Sequence, residues 1–265
     1  LPISTVLIDN KKIYWQDYGK GDPVVLIAGL GSDSSSWLPI IIPLSKKYRV
    51  IVFDNIGVGR SDHDNKGISV ALMADCTRKL ITKLNLNKPS IIGHSMGGMI
   101  AIDLAVNYPK LLNKLVLVAT SAKISKRNVS LFRDMVAYLK SGINEELWVR
   151  YMFYWIFSSS FFENPDLVDQ AVTMAVNYRY PQSIDSFENQ VEAIVQLDMV
   201  SDLNRIKLET LVLKGDDDLL FTPNDIQDMF NSIMLCTEVN IEGSGHSIHM
   251  DKPDIFLDEV KKFIG

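Results

Sequence analysis

The stretch Pro89-Ser90-Ile91-Ile92-Gly93-His94-Ser95-Met96-Gly97-Gly98 decides the fold of this chain. An apolar run of strand length leads directly into Gly-x-Ser-x-Gly, and residues with helical periodicity follow. The motif alone arises by chance in many chains, but a serine between a strand and a helix lies on a sharp turn that exposes its hydroxyl. Glycines two residues before and after it let neighbouring backbones approach closely. The sequence therefore predicts Ser95 as a nucleophile.

Further apolar, β-branched runs lie on both sides of this stretch. They are continuous rather than alternating, as in strands that are covered on both faces. These runs are 24–28, 49–54, 89–93, 114–119 and 209–215, and helical periodicity is found at 69–85, 98–107 and 253–264. Two alternating runs near the N-terminus, separated by Asp9 and Asn10, predict an antiparallel hairpin at one sheet edge. We expect an α/β fold with a mostly parallel central sheet flanked by helices.

The strand–helix rhythm stops between residues 121 and 202. That segment contains four helix-like stretches rich in aromatic residues and methionine, and no strand is predicted in it. A helical insertion that lies over the sheet explains the break. We therefore interpret 1–265 as a single domain, with a core formed by 1–120 and 203–265 and a helical cap at about 121–202.

Composition restricts the class of protein. The 265 residues include 27 Lys and Arg against 32 Asp and Glu, giving a net charge of −5, and 47% are hydrophobic. A chain of this size can bury a hydrophobic core without disulfide bonds or metal ions to stabilise it. Its negative charge argues against nucleic acid or an anionic membrane as the main partner. No apolar stretch approaches the roughly 20 residues that span a bilayer.

The chain has two cysteines and four histidines, without the spacing of a metal site. No metal or cofactor is therefore expected. The N-terminal segment has no basic region before an apolar stretch, so it is interpreted as a strand rather than a signal peptide. Its first residue is Leu1, which is compatible with trimming. A cytoplasmic protein is expected.

A serine nucleophile needs a histidine base that is oriented by a carboxylate. His246 and His249 follow the serine in the chain, and His246 comes directly after a predicted strand and Gly245. We predict His246 as the base and expect His249 to pack beneath its loop. The acid is expected in the run 216–218, which holds three consecutive aspartates. Spacing does not choose among them, and a solvated acidic turn is the alternative.

Five motifs appear in an order that spans nearly the whole chain. They are Ala28-Gly29-Leu30-Gly31, Asp54-Asn55-Ile56-Gly57-Val58-Gly59-Arg60-Ser61, Gly93 to Gly98, Gly215-Asp216-Asp217-Asp218 and Gly245-His246. With them the chain resembles the α/β-hydrolase superfamily, and within it the small capped serine hydrolases. That group includes esterases, enol-lactonases, C–C bond hydrolases and cofactor-free haloperoxidases.

The resemblance implies roles that spacing alone leaves open. It implies Asp218 as the acid, with Asp217 as the second choice, and an oxyanion hole formed by the backbone N–H groups of Leu30 and Met96. The chain departs from the family at Ala28, where a histidine usually stands and supports the oxyanion loop. The departure leaves the support of that loop open.

Two groups of residues in the insertion have alternative interpretations. Six aromatic residues either border a substrate cavity or serve packing alone: Trp148, Tyr151, Phe153, Tyr154, Trp155 and Phe157. Four cations form either a solvated face or a site for an anionic substrate or carrier: Lys123, Lys126, Arg127 and Arg133. The solvated face is favoured for the second group.

These observations predict an enzyme that cleaves a carboxylic ester or lactone of a small to medium-sized molecule through an acyl-enzyme. The expected partner is this small-molecule substrate, without nucleic acid and without stable membrane insertion. A C–C bond hydrolase or a cofactor-free haloperoxidase would use the same triad. A ligand receptor with slow turnover on the same fold is the alternative from another class, since fold does not determine function.

Overall fold

The computed structural model describes residues 4–63 and 66–265, so the first three residues of the predicted N-terminal strand segment lie outside the described part. Within these described residues, eight strands form one sheet. They are β1 Ser4–Ile8, β2 Lys11–Tyr18, β3 Pro23–Ile27, β4 Arg49–Phe53, β5 Ser90–His94, β6 Leu115–Val118, β7 Thr210–Gly215 and β8 Cys236–Ile241.

The sheet has the order β1-β2-β4-β3-β5-β6-β7-β8. Strands β3 to β8 pair in parallel, whereas β1 pairs with β2, and β2 with β4, in antiparallel fashion. The predicted α/β fold with a mostly parallel sheet and an N-terminal edge hairpin is therefore confirmed. In a parallel sheet the carboxyl ends of the strands share one edge, and the loops that follow β3, β5, β7 and β8 meet there.

Ten α-helices connect or cover the strands. They are α1 Leu38–Ser45, α2 Val70–Lys83, α3 Met96–Asn107, α4 Lys126–Lys140, α5 Glu145–Ile156, α6 Pro165–Val176, α7 Ile184–Val195, α8 Pro223–Ser232, α9 Ile248–Asp251 and α10 Pro253–Ile264 among the described residues. Several begin at a side-chain cap. Ser69 Oγ, for example, accepts a hydrogen bond from Leu72 N at the start of α2. Such caps satisfy N–H groups that have no partner within the helix.

The two faces of the sheet bury separate apolar clusters. Along β3, Val25 and Ile27 join a large cluster with α2 and α3, whereas Val24 and Leu26 join a second cluster with α1 and α10. Successive strand residues point to opposite faces. Burial on both faces therefore explains why the strand sequences are continuously apolar.

Residues 121–202, which we call the insertion, hold helices α4 to α7 together with short 3-10 segments. Phe187 and Val191 of α7 belong to the same apolar cluster as Met96 at the start of α3. Phe153 and Val172 belong to a separate small cluster that lies within the insertion. The insertion thus packs partly on the core and partly on itself, and its interpretation as a cap of a single domain stays a prediction.

In the described ranges, no helix combines the length and the apolar composition needed to cross a membrane.

Candidate active site

Ser95 occupies a strained turn between β5 and α3. Its backbone has φ 53° and ψ −120°, a conformation that costs energy for a residue with a Cβ and is found at functional sites. Two hydrogen bonds hold the turn, from Ser95 N to Val118 O (2.9 Å) and from Thr120 Oγ1 to Ser95 O (2.7 Å). The strand-to-helix turn predicted from the sequence is present, and α3 begins directly after the serine.

The glycines around Ser95 are required by close backbone contacts. A Cβ on Gly93 would lie 2.3 Å from Gly97 O, and one on Gly97 would lie 2.1 Å from Ile27 O. Neither contact is possible for a real side chain, and both involve backbone that has little freedom to move. Helix α3 can therefore start close to β3 and β5 only because these positions carry no side chain.

Ser95 is more enclosed than the sequence predicted. Only 8% of the residue is exposed. The loop after β3 lies close to it, because a Cβ on Gly29 would be 3.1 Å from Ser95 Cβ. A substrate would therefore reach the serine in a covered site rather than on an open surface.

His246 and Asp218 form a buried pair on the loops after β8 and β7. His246 Nδ1 lies 3.0 Å from Asp218 Oδ2, and their side chains are 3% and 0% exposed. The other carboxylate oxygen, Oδ1, accepts hydrogen bonds from Leu220 N (2.8 Å) and Phe221 N (3.0 Å). A carboxylate at Nδ1 fixes the proton there, so Nε2 is left as the basic nitrogen.

The three consecutive aspartates have three different partners. Asp216 Oδ1 accepts from Gly243 N at 2.7 Å, on the loop after β8. Asp217 Oδ2 accepts from Ser159 N and Oγ at 2.9 and 2.6 Å, and these hydrogen bonds lower the pKa of Asp217. Of the three, only Asp218 contacts His246.

Two further histidines lie beneath His246. His94 Nε2 is 3.0 Å from His246 O, and the two rings are 4.8 Å apart. The His249 ring lies 4.7 Å from His94 and 4.2 Å from Trp37. Burial lowers the pKa of His94 and lowers that of His249 to about 3, so both are neutral near pH 7. His94 can then donate its Nε2 proton to the carbonyl of His246.

The predicted oxyanion donors lie at the ends of two strands. Leu30 follows β3, and Met96 is the first residue of α3, where helix N–H groups have no partner within the helix. Within residues 4–63 and 66–265, neither N–H donates to a described group. Both are therefore available to a ligand, and their catalytic role stays a prediction.

The loop after β3, which carries Leu30, is supported from the insertion, and the sequence did not indicate this contact. Gly31 N donates to Gln190 Oε1 of α7 at 3.2 Å. Gln190 is fully buried, and its Nε2 donates to Ile56 O at 3.1 Å. A buried glutamine 159 positions from its partner carries no sequence signal.

Asp54 organises the neighbouring turn after β4. This carboxylate is fully buried and accepts hydrogen bonds from Ser34 N (3.0 Å), Arg60 N (2.8 Å) and Arg60 Nε (2.9 Å). The Arg60 guanidinium also lies 3.8 Å from the centre of the Tyr14 ring. Arg60 therefore balances a buried charge and connects the turn after β4 to strand β2.

The aromatic residues of the insertion divide into three groups. Phe153 and Phe157 belong to the small cluster within the insertion. Trp148, Tyr151 and Trp155 pack against the main core cluster. Tyr154 is 57% exposed and stacks on the ring of Phe162, with the ring centres 5.1 Å apart.

Acidic neighbours compensate much of the predicted basic cluster. Lys123 Nζ lies 2.6 Å from Asp198, and Arg133 Nε lies 3.2 Å from Glu192. Arg127 donates to a backbone carbonyl on the loop after β7. These pairs favour the interpretation of a solvated face.

The histidines and acidic residues near Ser95 lie close enough together for their geometry to bear on metal binding. Among the described residues, no three His, Cys, Asp or Glu side chains come together in a geometry that could hold an ion. Burial raises the pKa of Cys76 to about 12 and that of Cys236 to about 11, so both thiols stay protonated at neutral pH.

A mostly parallel sheet with a serine on a strained strand-to-helix turn, followed by an acid–histidine pair on later loops, is the architecture of the α/β hydrolases. A family model described as alpha/beta hydrolase fold matches residues 22–253. The chain therefore belongs to the alpha/beta hydrolase family, and it is a hydrolase.

Individual proteins agree with this placement. The protein named "Putative carbamate hydrolase RutD" from Serratia proteamaculans (strain 568) is 32% identical over 217 residues, covering 78% of this chain and 79% of that protein. The enol-lactonase from Burkholderia xenovorans LB400 has a TM-score of 0.88 at 20% identity, covering 98% and 99% of the two chains. A thermophilic esterase from Thermogutta terrifontis has a TM-score of 0.85 at 24% identity, covering 99% and 96%. The two structures establish the shared fold.

Proposed function

We propose that this hydrolase cleaves a carboxylic ester or lactone of a small to medium-sized molecule through an acyl-enzyme at Ser95. The observation that carries the proposal is the buried His246–Asp218 contact of 3.0 Å on the loops beside the serine turn. It supplies a histidine whose Nε2 is basic, and a serine hydroxyl needs such a base to become nucleophilic.

The proposed cycle uses groups of the protein and water. His246 Nε2 takes the Ser95 proton while Oγ attacks the carbonyl carbon, and the Asp218 carboxylate stabilises the imidazolium. The N–H groups of Leu30 and Met96 stabilise the oxyanion, a contribution of about 10²- to 10³-fold in rate per donor. When the tetrahedral intermediate collapses, the leaving oxygen takes the proton from His246. Water, activated by the same histidine, then releases the acid and restores Ser95.

The test uses p-nitrophenyl esters of increasing acyl length with wild-type protein, Ser95→Ala and a matched Ser141→Ala variant. Ser141 is an exposed serine at the end of α4. We expect Ser95→Ala to abolish the enzyme-dependent release of nitrophenol and Ser141→Ala to retain it. Equal, slow release by wild type and Ser95→Ala would reject the ester hydrolase and favour a receptor role.

A carbamate substrate is the second candidate, favoured by the name of the 32% identical relative. The two candidates differ in the second half of the cycle. A carbamoyl-serine is resonance-stabilised, so an esterase given p-nitrophenyl N-methylcarbamate should release about one equivalent of nitrophenol and then stall. Continuous turnover of this substrate, faster than that of the ester, would favour carbamate cleavage.

A further inference from the structure

Gln190 connects the insertion to two loops at the carboxyl edge of the sheet. Its Oε1 accepts hydrogen bonds from Gly31 N (3.2 Å) and Gln182 Nε2 (3.1 Å), and its Nε2 donates to Ile56 O (3.1 Å). The side chain is fully buried. A buried amide is costly unless it is bonded in this way, so its orientation is well determined.

The contact with Gly31 determines the geometry of the residue before it. Gly31 N belongs to the peptide unit that joins Leu30 and Gly31, and Gly31 has φ +70°. Once that peptide plane is held, the Leu30 N–H can change direction only through the two backbone torsions of Leu30. Position 28, two residues before Leu30, is alanine, whose side chain has no polar atom to support the loop.

A second glutamine strengthens this support. Gln182 Nε2 donates to Gly57 O at 3.0 Å as well as to Gln190 Oε1. Phe187, on the same helix as Gln190, lies against Gly31, because a Cβ there would be 3.4 Å from its ring. The loop after β3 is therefore held by polar and apolar contacts from one helix of the insertion.

We propose that Gln190 is a positioning residue that acts through Gly31 to aim the Leu30 N–H at the oxyanion. This inference rests on the proposed function, in which Leu30 is an oxyanion donor. Charge on the oxygen develops in the transition state, so misdirecting a donor lowers kcat and leaves KM nearly unchanged. The substitution should also slow the reaction of Ser95 with a fluorophosphonate, whose phosphoryl oxygen would occupy the same position.

The experiment compares two variants of Gln190. Gln190→Met has similar length and removes all three hydrogen bonds, whereas Gln190→Glu keeps an oxygen to accept from Gly31 N. The matched control is Ser186→Ala, because Ser186 lies on the same helix, is buried, and donates to His63 O at 3.1 Å. For each, kcat and KM with p-nitrophenyl butyrate, the rate of fluorophosphonate labelling of Ser95, and Tm are measured.

We expect Gln190→Met to lower kcat by at least about 10-fold, less than the about 10²- to 10³-fold lost when an oxyanion donor is removed outright. Its KM should stay within about twofold of wild type, and its labelling rate should fall in parallel with kcat. Gln190→Glu should recover most of both rates. Ser186→Ala should lower Tm while kcat and the labelling rate stay at the wild-type level.

Three results would overturn the inference. The first is that Gln190→Met retains the wild-type kcat and labelling rate. The second is that Ser186→Ala loses as much kcat as Gln190→Met does. The third is that Gln190→Met raises KM and leaves kcat unchanged. A failure of the proposed function has a different signature. In that case wild-type protein is not labelled at Ser95, and wild type and Ser95→Ala release nitrophenol at the same rate.

Discussion

At the scale of single residues, the partner of a side chain decides its role. Asp216, Asp217 and Asp218 have the same chemistry and consecutive positions. The structure gives the first a backbone N–H of the loop after β8, the second a serine of the insertion, and the third the ring of His246. Only the third contacts a histidine, while the other two connect their loop to neighbouring segments.

Substituting each of two neighbouring aspartates tests this difference. We expect Asp218→Asn to lower kcat about 10⁴-fold, because an amide N–H₂ facing His246 Nδ1 favours the tautomer in which Nε2 carries the proton. Asp217→Asn should retain kcat within about threefold and lose some stability through its contacts with Ser159. The measurement is kcat for ester hydrolysis by the two variants. A larger loss of kcat in Asp217→Asn than in Asp218→Asn would reassign the acid to Asp217.

His249 makes folding stability dependent on pH. Its folded pKa, about 3, lies below the ordinary value of 6.5 because burial disfavours the charged ring. From pH 6.5 down to about 3 the unfolded chain binds a proton that the folded chain does not, so this histidine lowers stability as the pH falls. The slope approaches about 1.4 kcal/mol per pH unit, and above pH 6.5 the effect vanishes.

Replacing this ring by a phenyl group should remove that dependence. His249→Phe keeps an aromatic ring against Trp37 and deletes two buried nitrogens that have no described partner. We expect urea unfolding at pH 7.5 to show equal or greater stability than wild type, and unfolding at pH 5 to show a clear gain. If the difference in unfolding free energy between His249→Phe and wild type were the same at pH 7.5 and pH 5, the result would contradict a buried neutral His249.

At the scale of elements, local patterns predicted most of the fold. The runs 24–28 and 209–215 became β3 and β7 because burial on both faces requires continuous apolar residues. The helix predicted at 69–85 is observed as α2, Val70–Lys83, with a serine cap. The helix predicted at 98–107 begins two residues earlier, at Met96, because α3 starts directly after the serine turn.

Contacts between distant segments could not be predicted in the same way. The helix that carries Gln190 was expected from its apolar periodicity, but a glutamine on it looks like any polar surface residue. Its burial depends on how α7 crosses the loop after β3, and the sequence does not encode that crossing locally. The hydrogen bond from the Tyr178 hydroxyl, in the insertion, to Asp33, on the segment after β3, likewise has no local signal in the sequence.

At the scale of the whole molecule, the insertion touches the loops that carry the proposed catalytic groups. Gln190 meets the loop of Leu30, and Ser159 meets the loop of Asp218. The loop of His246 is held twice. Ser247 N donates to Ile156 O of the insertion at 2.8 Å. The Asp251 carboxylate of α9 accepts hydrogen bonds both from Gly245 N of this loop and from Ser158 of the insertion. A disturbance of the insertion should therefore reach the candidate active site through several loops at once.

Substitution of Asp251 tests the connection between the insertion and the loop of His246. Asp251 Oδ2 accepts from Gly245 N (2.7 Å) and Ser158 N (3.2 Å), and its Oδ1 accepts from Ser158 Oγ (3.0 Å). Asp251→Ala leaves these donors without their acceptor. Hydrogen bonds to a charged group contribute up to about 3 kcal/mol each, but Asp251 is only half-buried, so water screens the carboxylate and replaces part of these bonds. We therefore expect the variant to lower the free energy of unfolding by about 2–4 kcal/mol, less than the sum of three such bonds.

The matched variant separates hydrogen bonding from charge. Asp251→Asn can present its oxygen to the two backbone N–H groups and its amide to Ser158 Oγ, so it should retain most of the stability and of kcat. Asp251→Ala should also lower kcat for ester hydrolysis, because Gly245 directly precedes His246 and would no longer be held. Urea unfolding and steady-state kinetics measure both quantities. If Asp251→Ala lost stability while its kcat stayed at the wild-type level, the insertion would stabilise the fold without positioning the base.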